Sequence, residues 1–273
     1  MSDSSTPSTA ADASDVAAGP HTVAVGIDIG GTGIKGAIVD VTTGELLTDR
    51  KKIPTPEGGE PDDIAKTVLD LVASLGEIPA NASVGVCFPA VVRSGVTMSA
   101  ANVSKKWIGF EAEKLFEKTL GRDITFVNDA DAAGFGEVRY GAAKGRGGLV
   151  IVTTLGTGIG TALIYDGVLI PNAELGHLEI EGVDYETKAA YSAKEREDLS
   201  WKKWAARLQK YYTTVEMLLS PDLFIVGGGV SKHFEDFLPL LELQTEIVPA
   251  TLRNNAGILG AACLSTMRAE FLQ

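Results

Sequence analysis

Cysteine is scarce in this chain, because Cys87 and Cys263 are the only two among 273 residues. Two cysteines cannot build a disulfide framework or a cysteine-rich zinc site. Both lie in apolar segments, VGVCF and GAACL, which are typical of buried thiols. Free thiols persist in a reducing compartment, so the sequence predicts a cytoplasmic location.

Long apolar runs and an excess of positive charge are also lacking. No apolar run reaches the ~18–20 residues of a membrane-spanning helix, and no basic residue precedes His21, so neither a membrane span nor a targeting peptide is expected. With 24 Lys and Arg against 36 Asp and Glu, the net charge is −12, which argues against general nucleic-acid binding. A polyanionic ligand would therefore need a local basic patch.

Glycine, by contrast, is abundant, at 31 of 273 residues. The tetrapeptide Gly-Thr-Gly-Ile occurs at 31–34 and again at 156–159, an offset of 156 − 31 = 125 residues. Each copy lies between two apolar segments, which predicts a strand, a glycine turn and a second strand. We interpret the repeat as an internal duplication that gives two halves of like topology.

Other segments complete a mixed α/β pattern behind a polar tail at residues 1–21, for which disorder is expected. Apolar runs predict further strands at 46–47, 84–88, 124–127, 223–226 and 245–248. Helices are predicted at 111–120 and 201–219, from Pro61, and near Ser231 and Asn255.

Two matched glycine hairpins across a cleft indicate a shared phosphate site. Glycine lets consecutive backbone N–H groups approach an anion, and the hydroxyls of Thr32 and Thr157 add donors. The pattern Gly31-x-Gly33-x-x-Gly36 formally matches a dinucleotide fingerprint, but a strand follows it where that fingerprint requires a helix. The predicted phosphate-binding residues are Asp28, Gly30, Gly31, Thr32, Gly33, Lys35, Gly156, Thr157 and Gly158.

Asp28 opens the first hairpin, where a carboxylate would repel a phosphate unless a cation lies between them. This predicts Mg²⁺ at Asp28, bound through water, because Mg²⁺ keeps several of its waters. The alternative is a structural role in which Asp28 accepts backbone N–H groups of the turn.

Five motifs occur in a fixed order: DIGGTGIKG from Asp28, FVNDADAAG from Phe126, LGTGIG from Leu155, ELGH from Glu174 and FIVGGG from Phe224. Together they resemble the ROK family of bacterial sugar kinases. The segment from His177 to Tyr212 is similar to the polyphosphate/ATP-dependent glucokinase branch, which includes glucomannokinases. The resemblance implies an α/β actin-like/hexokinase fold, a duplicated ribonuclease H-like topology with two lobes and a central cleft.

The resemblance also implies a domain layout and a quaternary state. A small lobe would span residues 22–130, with the C-terminal helix 256–273 packing back on it, and a large lobe would span 131–255. A homodimer is the family expectation. Many ROK proteins carry a zinc-binding cysteine cluster after the Gly-His pair, but Leu178 to Glu181 follow it here, so no zinc is expected.

Asp129 is the candidate general base, because it follows a predicted strand and can project into a cleft. In the family, the matching Asp takes the proton of the sugar 6-hydroxyl. Asn128 and Asp129 are also good helix-capping residues, which is the structural alternative. Carboxylates, amides and imidazoles can bind a ring of hydroxyls. The predicted sugar-binding residues are Asn102, Asn128, Asp129, Glu174, His177 and Glu179; the resemblance supports Asn128, Glu174 and His177 most strongly.

Two further features, a triglycine segment and a set of basic clusters, indicate where the phosphoryl donor would bind. Gly227, Gly228 and Gly229 follow a buried strand, and the resemblance implies adenosine binding there. Basic residues at 202, 203, 207 and 210 lie on one helix, and 105–106 and 144–146 hold two more basic clusters. From these, Lys105, Lys203 and Arg207 are predicted to contact polyphosphate; ordinary solvated surface charge is the alternative.

The sequence thus predicts a phosphotransferase that moves a phosphoryl group from polyphosphate or ATP to the 6-hydroxyl of glucose, with mannose as a possible second acceptor. A kinase for another hexose, such as an N-acetylhexosamine, and a non-catalytic sugar-binding module of the same fold remain alternatives. An actin- or Hsp70-like ATPase is disfavoured by the ELGH and Asn-Asp motifs, and an NAD oxidoreductase lacks a catalytic constellation here.

Overall fold

The computed structural model describes residues 22–100 and 103–267. The predicted disordered tail, Asn102 and the last residues of the predicted C-terminal helix lie outside them. The strands are β1 Val23–Gly30, β2 Gly33–Asp40, β3 Glu45–Leu46, β4 Lys51–Ile53, β5 Ser83–Phe88, β6 Val92–Arg93, β7 Val96–Thr97, β8 Thr125–Asn128, β9 Leu149–Leu155, β10 Ile159–Tyr165, β11 Val168–Ile170, β12 Glu179–Ile180, β13 Val183–Asp184, β14 Leu223–Gly227 and β15 Glu246–Pro249. The helices are α1 Pro61–Ala73, α2 Ala112–Leu120, α3 Asp129–Tyr140, α4 Glu186–Ala189, α5 Tyr191–Arg196, α6 Trp201–Leu219, α7 Phe234–Phe237 and α8 Ala256–Thr266.

Two mixed sheets form the framework, and their strand orders correspond. The first has the order β3-β2-β1-β5-β8, with β4 also paired to β2, and the second has the order β11-β10-β9-β14-β15. In each, an antiparallel hairpin (β1–β2 or β9–β10) is followed by two parallel strands. The repeated tetrapeptide lies at the hairpin turn in both, so the predicted duplication is confirmed.

The helix boundaries follow from local chemistry. Pro61 begins α1, a position where its missing N–H costs no intrahelical hydrogen bond. Gly121 ends α2 in the left-handed conformation, with φ +65°. Ser200 caps α6, since its side chain accepts the Lys203 N–H. Each of these helices packs an apolar face on its own sheet, where the buried residues form separate clusters.

A layer of two helices lies between the sheets. Helix α8 contacts β1 and β5, whereas α3 contacts β9 and β10, and the two helices pack on each other. Small residues permit the close approach: a Cβ on Gly260 would lie 1.7 Å from the carbonyl oxygen of Ala132, and one on Gly134 would lie 2.4 Å from the Cβ of Ala162. Over its described residues, α8 therefore packs closely on both α3 and the first sheet. The predicted domain division at 130–131 falls within α3, which joins the two halves.

Helix α3 is the main element that the sequence patterns did not predict. Six of its first eight residues are buried along with Glu137, so it lacks the one-sided apolar stripe from which an amphipathic helix is recognised. Near Ser231, the predicted helix is a short 3₁₀ turn at Gly229–His233 followed by α7. Among the described residues, no helix is both long and apolar enough to cross a bilayer.

Candidate active site

A cavity of about 960 Å³ lies where the two sheets face each other. Its walls include Asp28, Gly30 and Lys35 from the first hairpin and Asp129 from the start of α3. The opposite wall comes from the end of β9, the triglycine loop and the segment before α8. The cavity therefore lies between the first glycine hairpin and the triglycine loop, at the carboxyl ends of parallel strands, where α/β sheets typically bind ligands.

Asp28 and Lys35 form an ion pair across the first hairpin. They are directly opposite in the β1–β2 register, and the Lys35 Nζ lies 2.8 Å from Asp28 Oδ2. Both side chains are about four-fifths buried, at 22% and 17% exposure. The positive charge that sequence reasoning required beside Asp28 is thus supplied, at least in part, by a lysine. Lys52, opposite Lys35 on β4, packs its side chain against Gly33 of the same hairpin.

Asp129 is the first residue of α3, directly after β8, and its Oδ1 accepts the Ala130 N–H at 2.8 Å. Burial raises the pKa of Asp129 to about 7, and the negative charges of Asp28 and Glu174 act in the same direction. The carboxyl group therefore lies on the same cavity as the first glycine hairpin and is within the electrostatic influence of Glu174. A carboxylate with a pKa near neutrality is suited to take up a proton near neutral pH.

Asn128 is a helix cap in this structure, which was the alternative interpretation. Its Oδ1 accepts the Asp131 N–H at 3.0 Å, and its Nδ2 donates to the Ala90 carbonyl at 3.0 Å. The residue is 7% exposed. These bonds hold the start of α3, and thereby Asp129, against the strand end of the first sheet. Among residues 22–100 and 103–267, only one bond from Nδ2 is formed, which leaves its second amide hydrogen for a ligand.

Glu174 and His177 share a 3₁₀ turn that faces the second glycine hairpin. The His177 Nδ1 lies 2.9 Å from Asp184 Oδ2, and its Nε2 lies 4.0 Å from Glu174 Oε2. The hydrogen bond with Asp184 is the first cause that raises the pKa of His177, and the charges of Glu186 and Glu174 add to it. Burial raises the pKa of Glu174. This acidic and imidazole group can offer several hydrogen bonds to a polyhydroxylated ligand.

Asp184 and Glu186 are members of this group that sequence reasoning missed. Glu186 Oε2 accepts the Ile159 N–H at 2.7 Å, and a Cβ on Gly158 would lie 2.3 Å from the same oxygen. Glu179, which was predicted instead, is an exposed residue of β12 whose backbone pairs with Asp184. The sequence did contain a signal for this hairpin, because a two-residue loop that ends in Gly, here Glu181-Gly182, is typical of tight β-hairpins. In the structure both residues have positive φ, +56° and +74°, and the hairpin brings Asp184 back to His177.

The two hairpins are placed differently. Gly30 and Lys35 line the large cavity, whereas Gly31 lines a second cavity of about 320 Å³ with Gly59 and Val103. The second hairpin is tied to α5, since Ser192 donates from its N–H to the Gly156 carbonyl and from its hydroxyl to the Thr157 carbonyl. Its predicted phosphate-binding residues Gly156, Thr157 and Gly158 are not among the lining residues of the large cavity. Thr154, near the end of β9, does line it.

The triglycine loop lines the cavity and requires glycine at its centre. Gly228 has φ +82°, and a Cβ there would lie 2.4 Å from the carbonyl oxygen of Leu155. Ser231 closes the turn by donating from its hydroxyl to the Gly228 carbonyl at 2.8 Å. The loop thus presents bare backbone to the cavity, as expected for a surface that receives a flat ring.

The ROK family model matches residues 24–190. This chain belongs to the ROK family. The polyphosphate glucokinase of Mycobacterium tuberculosis is 48% identical over 241 residues, covering 88% of this chain and 90% of that protein. The polyphosphate glucokinase of Mycobacterium leprae is 46% identical over 242 residues, covering 88% of this chain and 74% of that protein.

Solved structures agree with this ROK assignment. The inorganic polyphosphate/ATP-glucomannokinase from Arthrobacter sp. strain KM superposes with a TM-score of 0.86 at 52% identity, covering 90% of this chain and 99% of that chain. A ROK family glucokinase from Streptomyces griseus, solved with glucose and AMPPNP, gives a TM-score of 0.75 at 24% identity, with coverage of 90% and 99%. The second likeness shows the shared fold alone. The predicted fold class, with its duplicated actin-like architecture, is confirmed.

The basic residues predicted for polyphosphate lie outside the wall of the large cavity. Arg207 is paired with Glu197 at 2.6 Å and lowers the pKa of that carboxyl to about 2, so its charge is already partly neutralised. Lys203 is exposed on α6, and Lys105 is exposed on a 3₁₀ turn whose Trp107 side chain donates to Gly59. The cluster at 144–146 precedes β9, about 17 Å along the strand from the cavity end at Thr154. This cluster therefore lies away from the large cavity.

Proposed function

We propose that this ROK protein is a glucokinase that transfers a phosphoryl group from polyphosphate or ATP to the 6-hydroxyl of glucose. The observation that carries the proposal is the position of Asp129. Its carboxyl group lines the donor-sized cavity and is also affected by the charge of Glu174 on the other side. The identity to polyphosphate glucokinases and to a glucomannokinase supports the same substrates.

In the proposed reaction, Asp129 accepts the proton of the sugar 6-hydroxyl while that oxygen forms a bond to the terminal phosphorus of the donor. The bond between that phosphorus and the bridging oxygen breaks, and ADP or a shortened polyphosphate leaves. Positioned general base catalysis contributes roughly 10²–10⁴-fold to such a rate. The remaining acceleration must come from alignment and charge neutralisation, as in phosphoryl transfer generally.

The sugar would bind against Glu174 and His177, with Asn128 supplying its spare amide hydrogen. Because Asp184 fixes His177 through Nδ1, the Nε2 atom is directed to the Glu174 side, where a sugar hydroxyl can bridge the 4.0 Å between the two. Asn102 remains a proposed sugar ligand. Glu186 replaces Glu179 as the neighbouring acidic group.

Mg²⁺ is the proposed cofactor, and the residues at the cleft fit it. Mg²⁺ commonly takes one or two protein carboxylates and completes its shell with water and substrate phosphates. Asp28 and Asp129 are such a pair, since each lines the cavity and the charge of one raises the pKa of the other. Within the described residues, no group of three or more His, Cys, Asp or Glu could hold a metal ion. When bound, the ion would neutralise charge on the transferred phosphate.

The phosphates of the donor would lie in the large cavity, whose walls hold Lys35, Lys232 and Arg253. Gly228 and its neighbours would receive the adenosine of ATP. A polyphosphate chain can bind to the same cations, and the alternative location for it is Lys203 with Arg207 on α6.

The double variant Lys232→Glu with Arg253→Glu should weaken the binding of both donors. Lys203→Glu with Arg207→Glu should weaken polyphosphate alone if α6 binds the chain.

A donor-by-acceptor activity matrix tests the proposed function. ATP and polyphosphate are each assayed with glucose, mannose and N-acetylated hexosamines, using the wild-type protein and Asp129→Asn. We expect activity with glucose from both donors and glucose binding without turnover in the variant. Near-normal turnover by Asp129→Asn would refute the assignment of the base, and a preference for an N-acetylated hexosamine would refute the substrate.

Three finer features belong to the same proposal. Mannose differs from glucose only at the 2-hydroxyl, and a glucomannokinase is similar over most of this chain, so we propose mannose as a second acceptor. We further propose a cytoplasmic homodimer. The buried free thiols of Cys87 and Cys263 support a reducing compartment. Light scattering after gel filtration measures the oligomeric state.

A further inference from the structure

Asn172 bridges the two halves of the molecule. It follows β11 of the second sheet, and its side chain forms two hydrogen bonds with the backbone of Val92, which follows β5 of the first. The Val92 N–H donates to Asn172 Oδ1 at 2.8 Å, and Asn172 Nδ2 donates to the Val92 carbonyl at 2.8 Å. Asn172 has φ +59°, a conformation that Asn tolerates better than most residues.

Asp131 holds the backbone of that bridge. It lies two residues after Asp129 on α3, is 2% exposed, and accepts the Asn172 N–H at 2.8 Å on Oδ2. Within the described residues, its Oδ1 has no hydrogen-bond partner. Burying a carboxyl group with half of its acceptors unused is costly, so stability alone would favour an uncharged side chain at this position. Burial raises the pKa of Asp131 to about 7.

Thr161 fixes the chain on the other side of Glu174. Its buried hydroxyl on β10 donates to the Ala173 carbonyl and accepts the Leu175 N–H at 3.0 Å. The backbone of Glu174 is irregular, with φ −109° and ψ 49°, so no helix or strand ladder orients this side chain. Hydrogen bonds from Asp131 and Thr161 therefore take the place of secondary structure on either side of it.

We propose that Asp131, Asn172 and Thr161 form a clasp that positions Glu174 relative to Asp129. The three are positioning residues, since they hold the backbone and none is assigned a contact with the sugar. Asp131 and Asp129 lie in the same turn of α3, so the clasp ties the sugar-binding loop to the helix that carries the base. The inference rests on the proposed function insofar as Glu174 binds the acceptor sugar.

Matched variants test the clasp. Asp131→Ala removes the acceptor of the Asn172 N–H, whereas Asp131→Asn keeps an acceptor oxygen. Asn172→Gly keeps the positive φ and the N–H but removes both bonds to Val92. Tyr140→Phe is the control, since it removes a hydrogen bond to the Val41 carbonyl from the far end of α3.

For Asp131→Ala we expect the glucose KM to rise about tenfold, the upper end of the range for one neutral hydrogen bond, with the ATP KM unchanged within about twofold. Asp131→Asn should stay within about threefold of wild type, and Asn172→Gly should raise the glucose KM severalfold. Tyr140→Phe should leave both KM values unchanged. A glucose KM for Asp131→Ala that equals that of the control would overturn the proposal, as would an Asp131→Asn variant as impaired as Asp131→Ala.

Hydrogen exchange in the sugar-free protein provides a readout that does not depend on the reaction. The amide of Asn172 should exchange at least about tenfold faster in Asp131→Ala than in Tyr140→Phe. Unchanged exchange overturns the clasp even if the protein phosphorylates glucose. Faster exchange in a protein that does not use glucose refutes the proposed function and leaves the clasp intact. If Asp131→Ala fails to fold, the KM of Asn172→Gly decides, and a value equal to wild type overturns the proposal.

Discussion

Replacing Asp129 by Asn should abolish turnover and at the same time stabilise the protein. The folded structure raises the pKa of Asp129 to about 7 from 3.8, so the folded state binds this proton more tightly than the unfolded chain does. Stability contributed by the group is therefore lost as pH rises from about 4 to 7 and stays constant above that range. The asparagine side chain of the variant has no charge to bury, and its amide oxygen can still accept the Ala130 N–H.

The size of the effect follows from the linkage relation. A shift of about three pKa units corresponds to about 4 kcal/mol as an upper limit above pH 7. At pH 5 the same relation gives only about 1.7 kcal/mol. Partial solvent access to the carboxyl and the lost interaction with the positive end of α3 reduce the gain, so we expect roughly 1–3 kcal/mol at pH 8. For a chain of this size that is a rise in Tm of about 2–10 °C.

The assay is urea unfolding of the wild type and Asp129→Asn at pH 5 and pH 8, with EDTA present so that no divalent cation stabilises the ionised carboxylate. The difference in the free energy of unfolding should be larger at pH 8 than at pH 5. Asp222→Asn is a suitable control, because Asp222 is exposed and accepts the Leu149 N–H at the far end of β9. A variant less stable than wild type, or a gain independent of pH, would refute the reasoning.

Three further predictions concern the same site. Because Asp129 must be ionised to accept a proton, kcat/KM for glucose should fall with unit slope below about pH 7, and a profile flat to pH 5 would contradict this assignment. Gly228→Ala places a Cβ 2.4 Å from the Leu155 carbonyl at φ +82°, so it should lower stability by about 1–3 kcal/mol and weaken ATP binding; calorimetry measures both. Asp184→Asn removes the main cause that raises the pKa of His177, so NMR of the ring protons should show a lower value in the variant, and an unchanged value would disprove the pairing.

Much of the fold could be predicted from the sequence because the duplicated glycine hairpin carries its own signal. A turn between two apolar strands is local, and its recurrence at a fixed offset implies the same sheet twice. Helix α3 could not be found in this way. Buried between a sheet and α8, it replaces the amphipathic pattern by small residues such as Gly134, whose role appears only when the opposing Ala162 is in place.

The residues of the candidate site also differ in whether a local motif or the tertiary structure determines them. Asp28, Asp129, Glu174, His177 and the triglycine loop were predicted, because motif positions at strand ends specify where side chains emerge. Lys35 was assigned to phosphate, but its pairing with Asp28 depends on strand register. Arg207 shows the opposite case, since its helical spacing was correct while its partner Glu197 lies ten residues earlier, directly after α5. Partners across elements are set by tertiary structure, which a spacing rule does not contain.

The arrangement of buried carboxyl groups explains how one helix can serve both substrates. Asp129 and Asp131 are two residues apart on α3, and the pKa of each is raised to about 7, with Glu174 contributing to both. Three carboxyl groups this close cannot all be ionised without a large cost. Asp129 lines the large cavity together with Lys35, and in our proposal Mg²⁺ would also bind there and lower the cost of its charge, whereas Asp131 is 2% exposed and is not among the lining residues of that cavity. The proton is therefore more easily kept on Asp131, and Asp129 is left free to act as the base.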